Sequence, residues 1–109
     1  MTEEQGSFEI GHDHPALEGH FPGDPVVPGV VILEQVIRVH RLLQGLSGGT
    51  VSMERVRFLR VVRPGDRVVI TFSAVDAAGK QRFTCHHEGD VVARGVLESG
   101  GVDGGPRHP

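Results

Sequence analysis

The spacing of apolar residues changes from a helical to an alternating pattern near residue 50. Before that point, apolar side chains recur with the helical period and predict one helix over residues 30–46. They cover most of its circumference, so we expect the helix to be buried on most sides. Pro28 and Gly29 mark its start, and glycines at positions 45, 48 and 49 mark its end.

The other apolar residues alternate with polar ones over short segments, which is typical of half-buried β-strands. The segments predicted as strands are 7–11, 50–62, 67–75, 81–87 and 91–98. Turn residues separate the last four, so we expect those four strands to form an antiparallel meander. A helix that is apolar nearly all round needs a sheet that wraps it. The predicted fold class is therefore α+β, with a curved antiparallel sheet around one long central helix.

Composition limits what the chain can do. Its 109 residues suffice for one domain, and 17 valines without any Trp or Tyr suit a β-rich core. The net charge of -3 argues against a nucleic-acid binder. The single cysteine excludes an internal disulfide, and no apolar run is long enough to cross a membrane. Residues 1–5 are acidic and polar rather than a signal peptide, so we expect a soluble cytoplasmic protein.

The folded domain is predicted to span residues 6–98. Residues 99–109, SGGVDGGPRHP, are dominated by Gly and Pro and hold too few apolar side chains to order themselves. We therefore predict that this tail is disordered.

Positive charge is concentrated in the second part of the chain. Residues 1–37 hold seven acidic residues and no Lys or Arg, and ten of the eleven basic residues are arginines. Half of those arginines fall within 13 residues, at Arg55, Arg57, Arg60, Arg63 and Arg67. Such a series is either a solvated strand face or a surface that binds anionic groups, because guanidinium groups suit phosphate and carboxylate.

The loop before the helix carries the residues best suited to chemistry. It reads GHFPGDPVVPG over residues 19–29, and its prolines stiffen it. His20 can take up a proton near neutral pH, and Glu34, in an early turn of the helix, can hold or donate one. Gly29 lies where unpaired backbone N–H groups attract developing negative charge. A base, an acid and an oxyanion donor suit proton removal α to a carbonyl with loss of a β-hydroxyl.

The same residues resemble the signature of a known family. Residues 20–34, HFPGDPVVPGVVILE, resemble the motif of hot-dog-fold 3-hydroxyacyl-acyl-carrier-protein dehydratases, in which a Glu or Asp follows the His by fourteen residues. Here that position is Glu34. Residues 58–66, FLRVVRPGD, resemble the Phe-x-x-x-Val-x-Pro-Gly-Asp strand and turn of the family, and the whole resemblance covers residues 8–98. Residues 13–20 look like those of the small stand-alone dehydratases of aryl-polyene or similar pigment pathways.

The resemblance implies a homodimer whose active site is shared between two chains. His20 would abstract the α-proton of a 3-hydroxyacyl thioester. Glu34 of the partner subunit would help the β-hydroxyl to leave as water, which gives the trans-2-enoyl thioester. The Gly29 N–H would polarise the thioester carbonyl. The residues implied in substrate binding are Gly29, Val30, Phe21 and Pro28, and no metal or other cofactor is needed.

The resemblance also gives the arginine series a specific role. The acyl group would arrive on the phosphopantetheine arm of an acidic acyl carrier protein. The residues that we expect to dock this carrier are Arg55, Arg57, Arg60 and Arg63.

Two other functions fit the same residues. A hot-dog thioesterase would use the carboxylate to activate water and would release a free thiol. A non-catalytic acyl-chain or carrier-protein binding module would keep only the fold, and the helix reads EQVIR over residues 34–38 where dehydratases have Glu-Ala-Met-Ala-Gln. Glu34 and Arg38 also have the spacing of a simple surface ion pair. His12 and His14 have the spacing of a metal pair, although no third ligand is indicated.

Overall fold

The computed structural model describes residues 4–17, 25–44 and 50–99 of the chain. The order of its elements is the predicted one: a strand, a loop, one helix and four further strands. These elements are β1 (Glu4–Glu9), α1 (Gly29–Gln44), β2 (Val51–Phe58), β3 (Arg67–Phe72), β4 (Lys80–His87) and β5 (Asp90–Ser99), with one turn of 3₁₀ helix at Pro15–Leu17. All strand pairs are antiparallel, so the α+β prediction is confirmed.

The strands lie in the order β1-β3-β4-β5-β2, which corrects the predicted four-strand meander. Only β3, β4 and β5 are consecutive neighbours. β1 occupies the other side of β3, and β2 lies at the far edge beside β5. The prediction failed because the segment between β2 and β3, residues 59–66, is longer than a tight hairpin and can connect strands that are not neighbours.

β2 is shorter than the predicted strand over residues 50–62. It ends at Phe58, although the Leu59 N–H still donates to the Val92 carbonyl at 2.8 Å. The chain then turns towards the loop before α1, where the Val27 N–H donates to the Val62 carbonyl at 2.7 Å. Val62, the last apolar residue of the predicted strand, therefore pairs with that loop instead of continuing β2.

The ends of several strands also differ from those predicted. β1 begins at Glu4, and β5 extends to Ser99, so ordered strand lies beyond residues 6–98 at both ends. β3 ends at Phe72 instead of residue 75. The predicted end of the helix and the rest of the predicted tail, residues 45–49 and 100–109, lie outside the described residues. No described helix is long and apolar enough to span a membrane.

α1 packs across one face of the sheet, which we call the inner face. The buried side chains of the helix are Val31, Ile32, Val36, Val39 and His40. They share one core with inward-facing strand residues that include Ile70, Phe72, Phe83, Cys85 and Leu97. The helix lies so close to β1 that a Cβ added at Gly6 would collide with Val39. A glycine at this position allows the close approach of helix and strand.

The opposite side of α1 is exposed in the single chain. Val30 is 63% exposed and Leu42 is 69% exposed, and Glu34 and Arg38 lie exposed between them. Their spacing of four residues places all four on one side of the helix, which we call the exposed stripe. The prediction of a helix buried on most sides is therefore wrong for one chain, because the sheet covers only the inner side.

Candidate active site

The start of α1 presents two backbone N–H groups that have no partner among the described residues. The Pro28 carbonyl accepts hydrogen bonds from the N–H groups of Val31, at 3.0 Å, and Ile32, at 3.3 Å, which begins the helix. The N–H groups of Gly29 and Val30 precede these, and neither donates to a described residue. Because they lie at the positive end of the helix dipole, they favour an oxygen that carries negative charge.

Gly29 lies against the ring of Phe58, the last residue of β2. A Cβ added at Gly29 would be 2.8 Å from Phe58 Cζ, closer than real side chains approach. Any larger residue would therefore push the ring and the helix start apart. Phe58 was not among the predicted site residues, although it opens the second motif of the resemblance. The contact fixes where the two free N–H groups lie.

Glu34 lies one helical turn after Val30 on the exposed stripe. Its side chain forms no hydrogen bond or ion pair with a described residue. Arg38, the partner that a surface ion pair would require, instead donates from Nη1 to Gln35 Oε1 at 3.5 Å. The ion-pair interpretation of Glu34 is therefore not supported. Its carboxylate is available to a substrate or to a second subunit.

Two predicted site residues fall outside the described part of the chain. His20 and Phe21 belong to residues 18–24, which the structure does not describe. Their roles stay predictions. The predicted residues that can be placed, Pro28, Gly29 and Val30, come together at the helix start, with Glu34 one turn further along.

The predicted docking arginines do not form a single surface. Arg55 and Arg57 line a groove of about 680 Å³ on the outer face of the sheet, the face that α1 does not cover. Two arginines that sequence analysis did not single out complete this groove: Arg82 of β4 and Arg94 of β5. Arg60 and Arg63 are exposed on the segment between β2 and β3 and do not line it. Only the strand register brings residues 57, 82 and 94 together, and that register is not visible in the sequence.

Two other candidate groups do not form sites in the described chain. His12 and His14 line one shallow pocket with Asp13, but the described residues contain no group of three side chains able to hold a metal ion. Burial raises the pKa of the Cys85 thiol to about 12. That thiol is therefore neutral at physiological pH and a poor nucleophile.

Comparison with known sequences gives consistent matches. A family model of ApeI-like dehydratases matches residues 2–96. The chain is 36% identical over 103 residues to the 3-hydroxyacyl-[acyl-carrier-protein] dehydratase FabZ of Caldicellulosiruptor saccharolyticus, a match that covers 85% of this chain and 74% of the relative. It is 35% identical over 99 residues to FabZ of Ehrlichia chaffeensis, which covers 81% of this chain and 67% of that protein.

Solved structures place the chain in the hot-dog fold, as predicted. The dehydratase heterocomplex ApeI:P from Xenorhabdus doucetiae has a TM-score of 0.75 at 20% identity, over 91% of this chain and 88% of that one. A mutant of the fluoroacetyl-CoA thioesterase FlK, in complex with fluoroacetate, has a TM-score of 0.62 at 17% identity. The match covers 91% of this chain and 85% of that one. Because a dehydratase and a thioesterase share this fold, the fold alone does not separate the two chemistries.

Proposed function

This chain belongs to the family of ApeI-like dehydratases, and from that membership we propose that His20 and Glu34 remove water from a 3-hydroxyacyl thioester bound at the start of α1. The chain is an enzyme of the 3-hydroxyacyl-acyl-carrier-protein dehydratase class, and its product is the trans-2-enoyl thioester. One observation carries the assignment of the site. The helix that carries Glu34 also presents, one turn earlier, the N–H groups of Gly29 and Val30, and neither these groups nor the Glu34 carboxylate has a partner among the described residues.

In the proposed reaction, His20 takes a proton from Cα, the carbon beside the thioester carbonyl. The electrons of that C–H bond form the Cα–Cβ double bond while the Cβ–O bond breaks. Glu34 of the partner subunit donates a proton to the departing hydroxyl, which leaves as water. Proton exchange with solvent then returns His20 and Glu34 to their starting states.

The thioester oxygen gains negative charge while the α-proton is removed. The N–H groups of Gly29 and Val30 are proposed to stabilise that charge. In other enzymes, loss of one such donor lowers kcat by roughly a hundredfold to a thousandfold. Backbone donors cannot be removed by substitution, but their position depends on the contact between Gly29 and Phe58.

A second subunit is proposed to complete the site. Several apolar side chains are exposed around the helix start, namely Val30, Phe58, Leu59 and Val61. β2 is an edge strand of the described sheet, so no described strand pairs with one side of its backbone. Both features favour a homodimer. The related ApeI was solved as a heterocomplex, so a different hot-dog subunit is the alternative partner, and the mass of the purified complex distinguishes the two.

The thioester is proposed to arrive on an acyl carrier protein. Arg60 and Arg63 flank Val62, whose carbonyl binds the loop that leads into α1. We assign the docking to these two arginines, because Arg55 and Arg57 lie on the outer face of the sheet. Replacing Arg60 and Arg63 by Glu should raise KM for carrier-bound substrate and spare a short soluble thioester. Equal losses on both substrates would contradict the assignment.

The proposed function is tested by product analysis. The protein is incubated with 3-hydroxyacyl thioesters of several chain lengths, and both the enoyl product and free thiol are measured. A dehydratase forms the enoyl thioester without releasing thiol. Release of thiol would identify a thioesterase. Tight binding of acylated carrier protein without either product would identify a binding module.

Three further parts of the proposal rest on sequence alone. These are a cytoplasmic location, a disordered tail over residues 100–109, and a role in an aryl-polyene or similar pathway. Mapping limited proteolysis to the last ten residues would test the tail directly.

A further inference from the structure

The groove on the outer face of the sheet, which we call the basic groove, carries four arginines. They come from three neighbouring strands and are Arg55, Arg57, Arg82 and Arg94. Thr84 and Val96 lie among them, and no described acidic residue lines the groove. The groove is on the opposite side of the sheet from Gly29 and Glu34, so it is separate from the proposed acyl site.

A bulge in β2 brings Arg55 into the basic groove. The register with β5 shifts between Glu54 and Arg57, and Arg55 has a φ of 56°, which is uncommon for a residue other than glycine. Regular alternation from Glu54 would place Arg55 on the inner face and Val56 on the outer face. Instead, Val56 packs on the core, and Arg55 and Arg57 both line the groove. Bulges often redirect a side chain in this way beside functional sites.

The arginines of the groove repel one another, and this repulsion is offset only in part, by the charge of Glu54 acting on Arg55 and that of Asp76 acting on Arg82. Arg57 and Arg94 are directly opposite each other on β2 and β5. Like charges at paired positions destabilise a sheet. None of the four arginine side chains forms an ion pair or a hydrogen bond with another described residue.

Charges at the neighbouring end of the same face are compensated. Lys80 is opposite Glu98 on β5, and its Nζ is 2.8 Å from Glu54 Oε2. The hydrogen bond and the charge of Lys80, with a smaller effect of Arg55, hold the pKa of Glu54 below its usual range. The Asp76 carboxylate accepts hydrogen bonds from the N–H groups of Ala78 and Lys80. These carboxylates are therefore already engaged by closer partners, and no described carboxylate forms an ion pair with the arginines of the basic groove.

We propose that the basic groove binds a small molecule that carries two phosphate groups, an organic diphosphate. Guanidinium groups bind phosphate oxygens in a fork, which suits arginines better than lysines. Two phosphate groups carry about three to four negative charges near neutral pH. That charge matches the four arginines. The volume of about 680 Å³ falls within the range of small-molecule sites, roughly 300–1,000 Å³.

Isothermal titration of the full chain at low salt tests the site. Inorganic pyrophosphate is the first probe. ADP and coenzyme A, which contains a diphosphate and a further 3′-phosphate, distinguish a nucleotide from a thiol carrier as the source. Saturable binding is expected for pyrophosphate and at least one of the other two. Arg94→Gln should weaken the Kd at least tenfold. Arg67→Gln, which removes an exposed arginine of β3 outside the groove, should leave the Kd unchanged.

Thermal unfolding gives a second readout. Arg94→Gln relieves the repulsion with Arg57, so it should raise the unfolding temperature of the free protein. At the same concentration, pyrophosphate should raise that temperature less for Arg94→Gln than for the wild type. The absence of saturable binding, or equal binding by Arg94→Gln and Arg67→Gln, would overturn the proposal. A variant that changes only KM for carrier-bound substrate would make the groove a protein-docking surface instead. The calorimetric and unfolding measurements do not depend on dehydratase turnover, so they test the groove even if the proposed function fails.

Discussion

The two sides of α1 differ in what they contact and in what they do. The inner side buries Val36 completely, with Val31 and Val39 on adjacent turns, and fixes the helix on the sheet. The exposed stripe carries Glu34 between two large apolar residues, Val30 and Leu42, that the single chain leaves uncovered. The apolar content of a helix thus reports all the contacts that it will make, including those with a second subunit. The contacts within one chain alone do not account for the apolar content of α1.

The largest effect should come from the carboxylate of the exposed stripe. Glu34→Gln keeps the size of the side chain but removes the proton donor, so kcat/KM for a 3-hydroxyacyl thioester should fall roughly a hundredfold or more. The unfolding temperature should not change. Arg38→Gln, one turn further along the same stripe, is the matched control and should stay within a few-fold of wild type. Similar losses in both variants would mean that the stripe matters as a surface and not through Glu34.

A core substitution on the inner side should lower the stability of the protein and leave its activity unchanged. Val36→Ala leaves a cavity among fully buried neighbours and should cost about 2–3 kcal/mol of unfolding free energy, measured by urea denaturation. Activity per folded molecule should persist. Val75→Ala, the same change at an exposed position, should cost less than about 0.5 kcal/mol. If Val36→Ala abolished turnover without loss of stability, the inner side would take part in activity, which would contradict the proposed difference between the two sides of α1.

The helix start connects the two sides, and its effect should be intermediate. Gly29→Ala places a methyl group against Phe58 and shifts the free N–H groups, so kcat/KM should fall about tenfold. The half-exposed Phe58 ring can move, which limits the loss of stability. If the collision with Phe58 is the cause, Gly29→Ala should lower kcat/KM much less when Phe58 is already replaced by Ala. If Gly29→Ala lowered kcat/KM by the same factor in the Phe58→Ala background, the collision with Phe58 would not be the cause of the loss.

The smallest effect should come from a titrating group away from both sides of the helix. A hydrogen bond from the His87 ring to the Arg67 carbonyl at 2.9 Å, with the nearby charge of Asp66, raises the pKa of His87 above 6.5. Its stabilising contribution is therefore complete below pH 6.5 and is lost as the pH rises through the raised pKa. His87→Gln should flatten the fall in unfolding temperature over that range and leave turnover unchanged. An unaltered pH profile would contradict this assignment.

Local sequence signals predicted the elements but not their arrangement. The helical period identified the start of α1 to within one residue, and alternation identified β3, β4 and β5. The position of β2 depends on its pairing with β5, about 40 residues away in the chain, which periodicity does not encode. The same limit applies to the site. A contiguous motif pointed to Gly29 and Glu34, whereas Phe58 and Arg94 became relevant only through contacts between distant segments.

The central claim is a dehydratase site shared between two subunits, with His20 from one chain and Glu34 from the other. The most direct test is a mixed dimer purified after co-expression of differently tagged His20→Ala and Glu34→Gln chains. Each variant alone should be nearly inactive. The mixed dimer contains one intact site of two, so it should show about half of the wild-type turnover per dimer. A mixed dimer as inactive as its parents would contradict the shared site.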